Sequence, residues 1–279
     1  SPMTLHCMAL LLSTVSASTS LLHQDEVTAI GEPIRLTDPT MFLKAGESYF
    51  DPKTKRIIFQ AIEHPLEGQE PDDDYGMYLA DLTFNNSGAI DGLENIQQLS
   101  NEGSANTCGW FHPSNDSIVL FATTMTPIID GDIPGYQRDK NNYRWAFPPK
   151  MNISTFNVDT KEFTPLVTND EHYLAEGSWS PDSRHLVYCS LATGSGDIYI
   201  TDLQTNTSRL IVGADGYDGG PFFSPDGKRI IYRSDRRGND LLQLFVAELK
   251  FDDSGAIVGV TNEFQLTDNP HVNWGPFWH

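Results

Sequence analysis

Four times along the chain a bulky aromatic is followed by one residue and a proline: Phe50-Asp51-Pro52, Phe111-His112-Pro113, Trp179-Ser180-Pro181 and Phe223-Ser224-Pro225. A fifth copy begins at Trp278-His279. Units that recur in this way cannot each bury their own apolar face, so repetition restricts the fold to a solenoid, a propeller or an array. Aligned on the prolines, positions five to seven read Ile57-Ile58-Phe59, Ile118-Val119-Leu120, Leu186-Val187-Tyr188 and Ile230-Ile231-Tyr232. Every one of these is apolar or aromatic, as a strand covered on both faces requires. The polar residues between proline and strand, such as Pro225-Asp226-Gly227-Lys228, predict a tight hairpin, because Pro fixes φ and Gly accepts positive φ.

Each unit then offers a third strand with clearer alternation: Gly76–Leu82, Asn152–Val158, Asp197–Leu203 and Gln243–Leu249. A fourth follows at Ile96–Leu99, Phe163–Leu166, Ser208–Ile211 and Phe264–Thr267. Four short strands per repeat make one propeller blade. The expected fold class is therefore all-β, a propeller of four-stranded antiparallel blades over residues 26–279. Blades are expected at about 44–100, 101–168, 169–213 and 214–268, with a partial fifth at 269–279. Residues 33–37 (Pro33-Ile34-Arg35-Leu36-Thr37) read as a lone copy of the fourth strand. Such a copy would close a ring by pairing with the last blade and shielding its edge. The interrupted fifth copy suggests a C-terminally truncated piece of a propeller, with six blades in the intact protein.

Charge narrows the partners. Thirty-eight carboxylates against 18 Lys and Arg give a formal charge of −20, which repels phosphate backbones and argues against nucleic acid. Residues 1–25 contain the apolar run Met8–Leu12 followed by small residues, which resembles a secretory signal although no Lys or Arg precedes Arg35. Export to the periplasm or beyond is expected. No later run of apolar residues is long enough to span a bilayer as a helix. Cys108 and Cys189 read as small buried residues, with a disulfide between neighbouring repeats as the alternative.

Two segments break the rhythm. Met125 to Lys150 separates the second and third strands of the second blade and brings four basic residues together with aromatics. Arg beside Tyr and Trp is the composition of interface hot spots. Tyr136, Arg138, Tyr143, Arg144, Trp145 and Phe147 are therefore the candidate partner-binding residues, the alternative being an insertion that caps the channel with its own aromatics. Glu63 to Tyr75, with Glu67, Glu70, Asp72, Asp73 and Asp74, lacks the spacing of an EF-hand and reads as a solvated acidic loop.

No nucleophile elbow, P-loop, H-E-x-x-H or paired C-x-x-C motif occurs. Asp182 and Asp226 recur at one repeat offset, which favours a turn role over catalysis. His112 and His279 stand where Ser180 and Ser224 stand in other repeats, which again favours a turn role. No catalytic residue, metal or cofactor is expected.

The phrases Trp179-Ser180-Pro181-Asp182-Ser183, Phe223-Ser224-Pro225-Asp226-Gly227-Lys228, Asp197-Ile198-Tyr199-Ile200 and Gln265-Leu266-Thr267 resemble the propeller repeat of the TolB family. Asn106–Pro113 and Tyr143–Pro149 look like bacterial TolB-related proteins labelled Tol-type biopolymer transporters. The resemblance runs from about residue 33 to residue 279. It implies a periplasmic six-bladed binding platform with a protein partner in the cell envelope, TolB itself contacting a peptidoglycan-associated lipoprotein. TolB carries an α/β domain before its propeller, and only about thirty residues precede the first blade here. The same repeat also builds propellers of prolyl-oligopeptidase-like serine peptidases, where it gates substrate, and of some polysaccharide lyases.

Overall fold

The computed structural model describes residues 32–72, 74–128, 135–137, 144–169 and 171–278. The leader expected over 1–25 lies outside them. The first blade holds β1 (Phe42–Phe50), β2 (Arg56–Glu63), β3 (Gly76–Phe84) and β4 (Ile90–Gln98). The second begins with β5 (Ser104–Phe111) and β6 (Ile118–Pro127). A two-stranded ribbon, β7 (Gly135–Gln137) and β8 (Arg144–Ala146), precedes its remaining strands, β9 (Asn152–Asn157) and β10 (Glu162–Val167). The third blade is β11 (Leu174–Trp179), β12 (His185–Ser190), β13 (Asp197–Asp202) and β14 (Thr207–Val212). The fourth is β15 (Asp218–Phe223), β16 (Arg229–Ser234), β17 (Gln243–Phe251) and β18 (Ile257–Gln265). All four sheets are antiparallel blades of a β-propeller, and no described residue is helical.

Side chains alternate faces along a strand, so the continuous apolar runs serve two neighbours at once. Ile58 and Leu79 of the first blade pack against Phe111, Val119 and Phe156 of the second. Leu120 then turns to the other face and meets Trp179 and Leu186 of the third. Val187 and Ile200 in turn meet Phe223, Ile230 and Phe245 of the fourth.

One expectation needs correction. The second hairpin is one residue longer than the others: Phe111 pairs with Val119, whereas Phe50 pairs with Ile57, Trp179 with Leu186 and Phe223 with Ile230. Val119-Leu120-Phe121, rather than Ile118-Val119-Leu120, is thus the equivalent core triplet, and all three are fully buried. Residues 33–37 form no strand. Each third strand (β3, β9, β13, β17) carries a fourth strand of its own blade, and Leu36 packs on the first blade. Residues 269–278 form no strand either. Trp278 lies against Phe222, Ile231 and Val246, and its indole N–H donates to the Phe222 carbonyl at 3.4 Å.

Candidate functional site

The ribbon grows from the junction of two paired strands. β6 and β9 are in register from Ile118↔Asn157 to Thr123↔Asn152, so the chain leaves and rejoins the blade at one end of a single ladder. Within the ribbon Tyr136 is the register partner of Trp145, and Gln137 of Arg144. Tyr136, Arg144 and Trp145 therefore share one two-stranded element, while Arg138 and Tyr143 lie outside the described residues. Phe147, just past the ribbon, is only 8% exposed. Its ring packs against Tyr173 at 5.0 Å and Tyr217 at 5.7 Å, in the core where the second, third and fourth blades meet.

A second constellation sits where the first strands of the blades converge. Tyr49 of β1, Trp110 of β5 and Phe222 of β15 are in mutual ring contact at 4.8 to 5.6 Å. Each first strand breaks register between Gly46 and Tyr49, Thr107 and Trp110, Ala175 and Ser178, or Gly219 and Phe222. In each break one residue takes positive φ: Glu47 (46°), Cys108 (53°), Glu176 (60°) and Gly220 (56°). All four stand three residues before the repeat aromatic. Such bulges re-aim a side chain, and for the three non-glycine residues the conformation costs on the order of 1 kcal/mol.

The re-aimed groups are joined in a polar network. Glu176, 3% exposed, forms an ion pair with Arg233 at 3.1 Å and accepts from the Tyr217 hydroxyl at 2.5 Å and the Gly220 N–H. The Arg233 guanidinium lies 3.7 Å from the Trp274 ring centroid and 5.7 Å from that of Tyr217. A methyl at Gly220 would stand 2.1 Å from Arg233 Nη1, so glycine is what admits the guanidinium. On the first-blade side Glu47 accepts from the Cys108 thiol at 3.2 Å and from the Trp274 indole N–H at 3.0 Å. Burial, then the Glu47 charge, pushes the Cys108 thiol well up, which keeps it a donor. Burial likewise raises the Tyr217 phenol. Sequence reasoning missed these residues because it read forward from the proline, whereas the series Glu47, Cys108, Glu176, Gly220 runs upstream of the aromatic.

The residues that invite catalytic readings are occupied in turns. Asp182 Oδ1 accepts from the Ser180 hydroxyl and the Arg184 N–H, and Asp226 Oδ1 from the Ser224 hydroxyl and the Lys228 N–H. Hydrogen bonding from Ser224 and Lys228 holds the Asp226 carboxyl below its usual range. His112 Nδ1 accepts the Ser114 N–H at 3.2 Å while its ring meets Trp179 edge-on. Cys108 and Cys189 are free and buried. Glu67, Glu70 and Asp72 are exposed.

Residues 145–274 match the family model described as the TolB beta propeller domain. The chain carries a TolB-like propeller. A stretch of 84 residues, 30% of this chain and 19% of the relative, is 33% identical to the Tol-Pal system protein TolB of Francisella tularensis subsp. mediasiatica. Another of 85 residues, 26% of this chain and 12% of the relative, is 44% identical to dipeptidyl-peptidase 5 of Porphyromonas gingivalis. The matched stretches thus cover less than a fifth of the length of either relative. Its fold is shared with a crystal structure of puromycin hydrolase, at TM-score 0.51 and 13% identity, over 82% of this chain and 30% of that one.

Proposed function

We propose that this TolB-like propeller is an exported, non-catalytic platform of the periplasm that holds a protein partner of the cell envelope, a peptidoglycan-associated lipoprotein being the favoured kind. The observation that carries the reading is the ribbon between β6 and β9, which sets Tyr136 opposite Trp145 and Arg144 beside it. Aromatic and Arg anchors on a rigid support bind with little ordering cost, and buried Phe147 fixes the base of this one. The TolB relative supports the partner class. The test is calorimetric titration of the chain with a purified peptidoglycan-associated lipoprotein. The double variant Arg144→Ala/Trp145→Ala should weaken binding at least about tenfold, as loss of a hot spot does. No binding, or affinity indifferent to these changes, overturns the reading.

The stretch shared with dipeptidyl-peptidase 5 favours a second reading, a propeller that gates substrate for a serine peptidase domain. An α/β-hydrolase pattern with a G-x-S-x-G elbow in the gene beyond the His279 codon, together with peptidase activity of the encoded protein, would replace the platform by this reading.

A further inference from the structure

Where the chain leaves a blade, a side chain holds the departing linker by a backbone N–H. After the second blade Asn152 Oδ1 accepts the Asn169 N–H at 2.6 Å, and after the fourth Gln243 Oε1 accepts the Asn269 N–H at 3.3 Å. After the third the acceptor is an acid: Asp218 Oδ2 takes the Ala214 N–H at 2.8 Å. Asn152, Asp197 and Gln243 share one register position, as partners of Thr123, Ser190 and Ser234, and Gly76 holds it in the first blade. Asp218 faces Ser234 from β15, and the residues in its place elsewhere are Ala45, Asn106 and Leu174. Both positions are therefore uncharged in the other blades, and both are carboxylates at the joint of the third and fourth.

The two acids adjoin and are poorly compensated. Both are buried, and the Asp218 N–H donates to the carbonyl of Gly196, next to Asp197, at 2.7 Å. Asp197 accepts from the Thr193 hydroxyl and forms no ion pair among the described residues. Asp218 Oδ1 receives no hydrogen bond. Arg236 stands 3.6 Å from it and is held more closely by Glu263 of β18. Arg233 is paired with Glu176, while buried Asp235, with Asp240 near it, adds carboxylates rather than cations. Burial keeps the Cys189 thiol and the Tyr199 and Tyr217 phenols neutral. Burial also raises the Asp218 carboxyl. Ser234, the Ala214 N–H and Arg236 oppose that rise, and the Asp197 charge adds to it. Asp197 and Asp235 are raised by burial too. His185 and Asp202 lie at the far end of the ladder between β12 and β13.

We propose that Asp218 and Asp197 make the joint between the third and fourth blades a proton-operated clasp, tight when Asp218 Oδ1 carries a proton taken from solvent and slack when both carboxylates are ionised. The protonated carboxyl keeps Oδ2 as the acceptor for the linker and removes one of two like charges from a buried place that offers Oδ1 no donor. A folded-state pKa above the unfolded one gives a contribution that is complete below the ordinary carboxylate value of about 3.9 and is lost as pH rises through the folded-state value. The clasp stands apart from the ribbon and does not depend on the partner named above.

Carboxyl carbon resonances of the 279-residue chain, followed by NMR against pH, should show Asp218 titrating above that ordinary value, and titration at or below it overturns the proposal. Asp218→Asn imitates the protonated form. It should melt higher than the wild type at about pH 8, and the gap should close as pH falls towards about 4, with His185 titrating alike in both proteins. A gap independent of pH, or one that widens in acid, overturns the proposal. If Asp218→Asn does not fold, as read by circular dichroism, Asp197→Asn takes its place. Relieved of the like charge, Asp218 should then titrate lower than in the wild type, and an unchanged titration overturns the pairing. Amide exchange, corrected for its intrinsic pH dependence, reads the joint itself. Protection over residues 213–219 should rise from about pH 8 to about pH 5 more than protection over β2, and equal changes would overturn the clasp.

Discussion

Phe111, Trp179 and Phe223 are 3, 4 and 8% exposed, while Phe50, the same residue of the same repeat, is 46% exposed. The sequence around each is equivalent and the hairpins are nearly so. What differs is the neighbour. The aromatic at this offset faces the preceding blade, and no described blade precedes the first. Burial here belongs to the joint between blades rather than to the residue or the single sheet. The covered joints and the uncovered first face therefore ought to respond to substitution very differently.

The largest contrast is expected from Trp179→Ala, which empties the joint between the second and third blades and should cost about 3–5 kcal/mol, read from urea denaturation. Gly220→Ala comes next. It forces a side chain onto a positive φ and into the Arg233 guanidinium, and should cost about 2 kcal/mol or more, with the shift in melting temperature as the check. Phe50→Ala removes the same kind of side chain from the uncovered face and should cost less than about 1 kcal/mol. A loss as large as that of Trp179→Ala would mean that another part of the protein covers that face in solution.

The joint between the third and fourth blades also carries a pH signature. His185, 2% exposed, accepts the Ile257 N–H at Nε2 across that joint, at 3.3 Å. Burial lowers its pKa, and the charge of Asp202, 3.9 Å away, opposes this to a lesser degree. Arg184 also lowers it, while Asp182 and Asp252 act weakly in the other direction. A folded-state pKa below the unfolded value of about 6.5 means that the unfolded chain binds the proton more readily. The contribution is complete above that pH and is lost as pH falls through the folded-state value. The melting temperature of the wild type should therefore fall more between pH 7.5 and pH 5.5, about the His range, than that of His185→Gln. Equal slopes would sever the joint from this histidine. The smallest effect is expected at Thr54, a β-branched residue at φ 54° in a hairpin where the fourth blade has Gly227 at 68°. Thr54→Gly should stabilise by a few tenths of a kcal/mol, relief of strain being largely offset by glycine's entropy.

The fold was legible because propeller repeats write the same physical requirements several times. The apolar triplets, the Asp182 and Asp226 turns and the third strands each recur at fixed offsets, so one copy checks another. The register slip in the second blade escaped because an extra residue in a polar hairpin changes no pattern of hydrophobicity. At the axis the chemistry is spread over unlike residues, Glu47, Cys108, Glu176 and Gly220, and what unites them is a backbone angle that composition does not record. Arg233 adds a further difficulty, since it fills a position vacated on a neighbouring strand rather than its own.

The ladder between β6 and β9 has one more consequence. Because Thr123 and Asn152 face each other as partners, everything between them is attached at two adjacent points. The entropy of closing such an excursion grows only slowly with its length. The rim of the second blade is therefore an exchangeable cassette. Evolution or an engineer can rewrite the ribbon itself without renegotiating the packing of any blade, provided that Phe147 and Met151, which belong to the core between the blades, are kept.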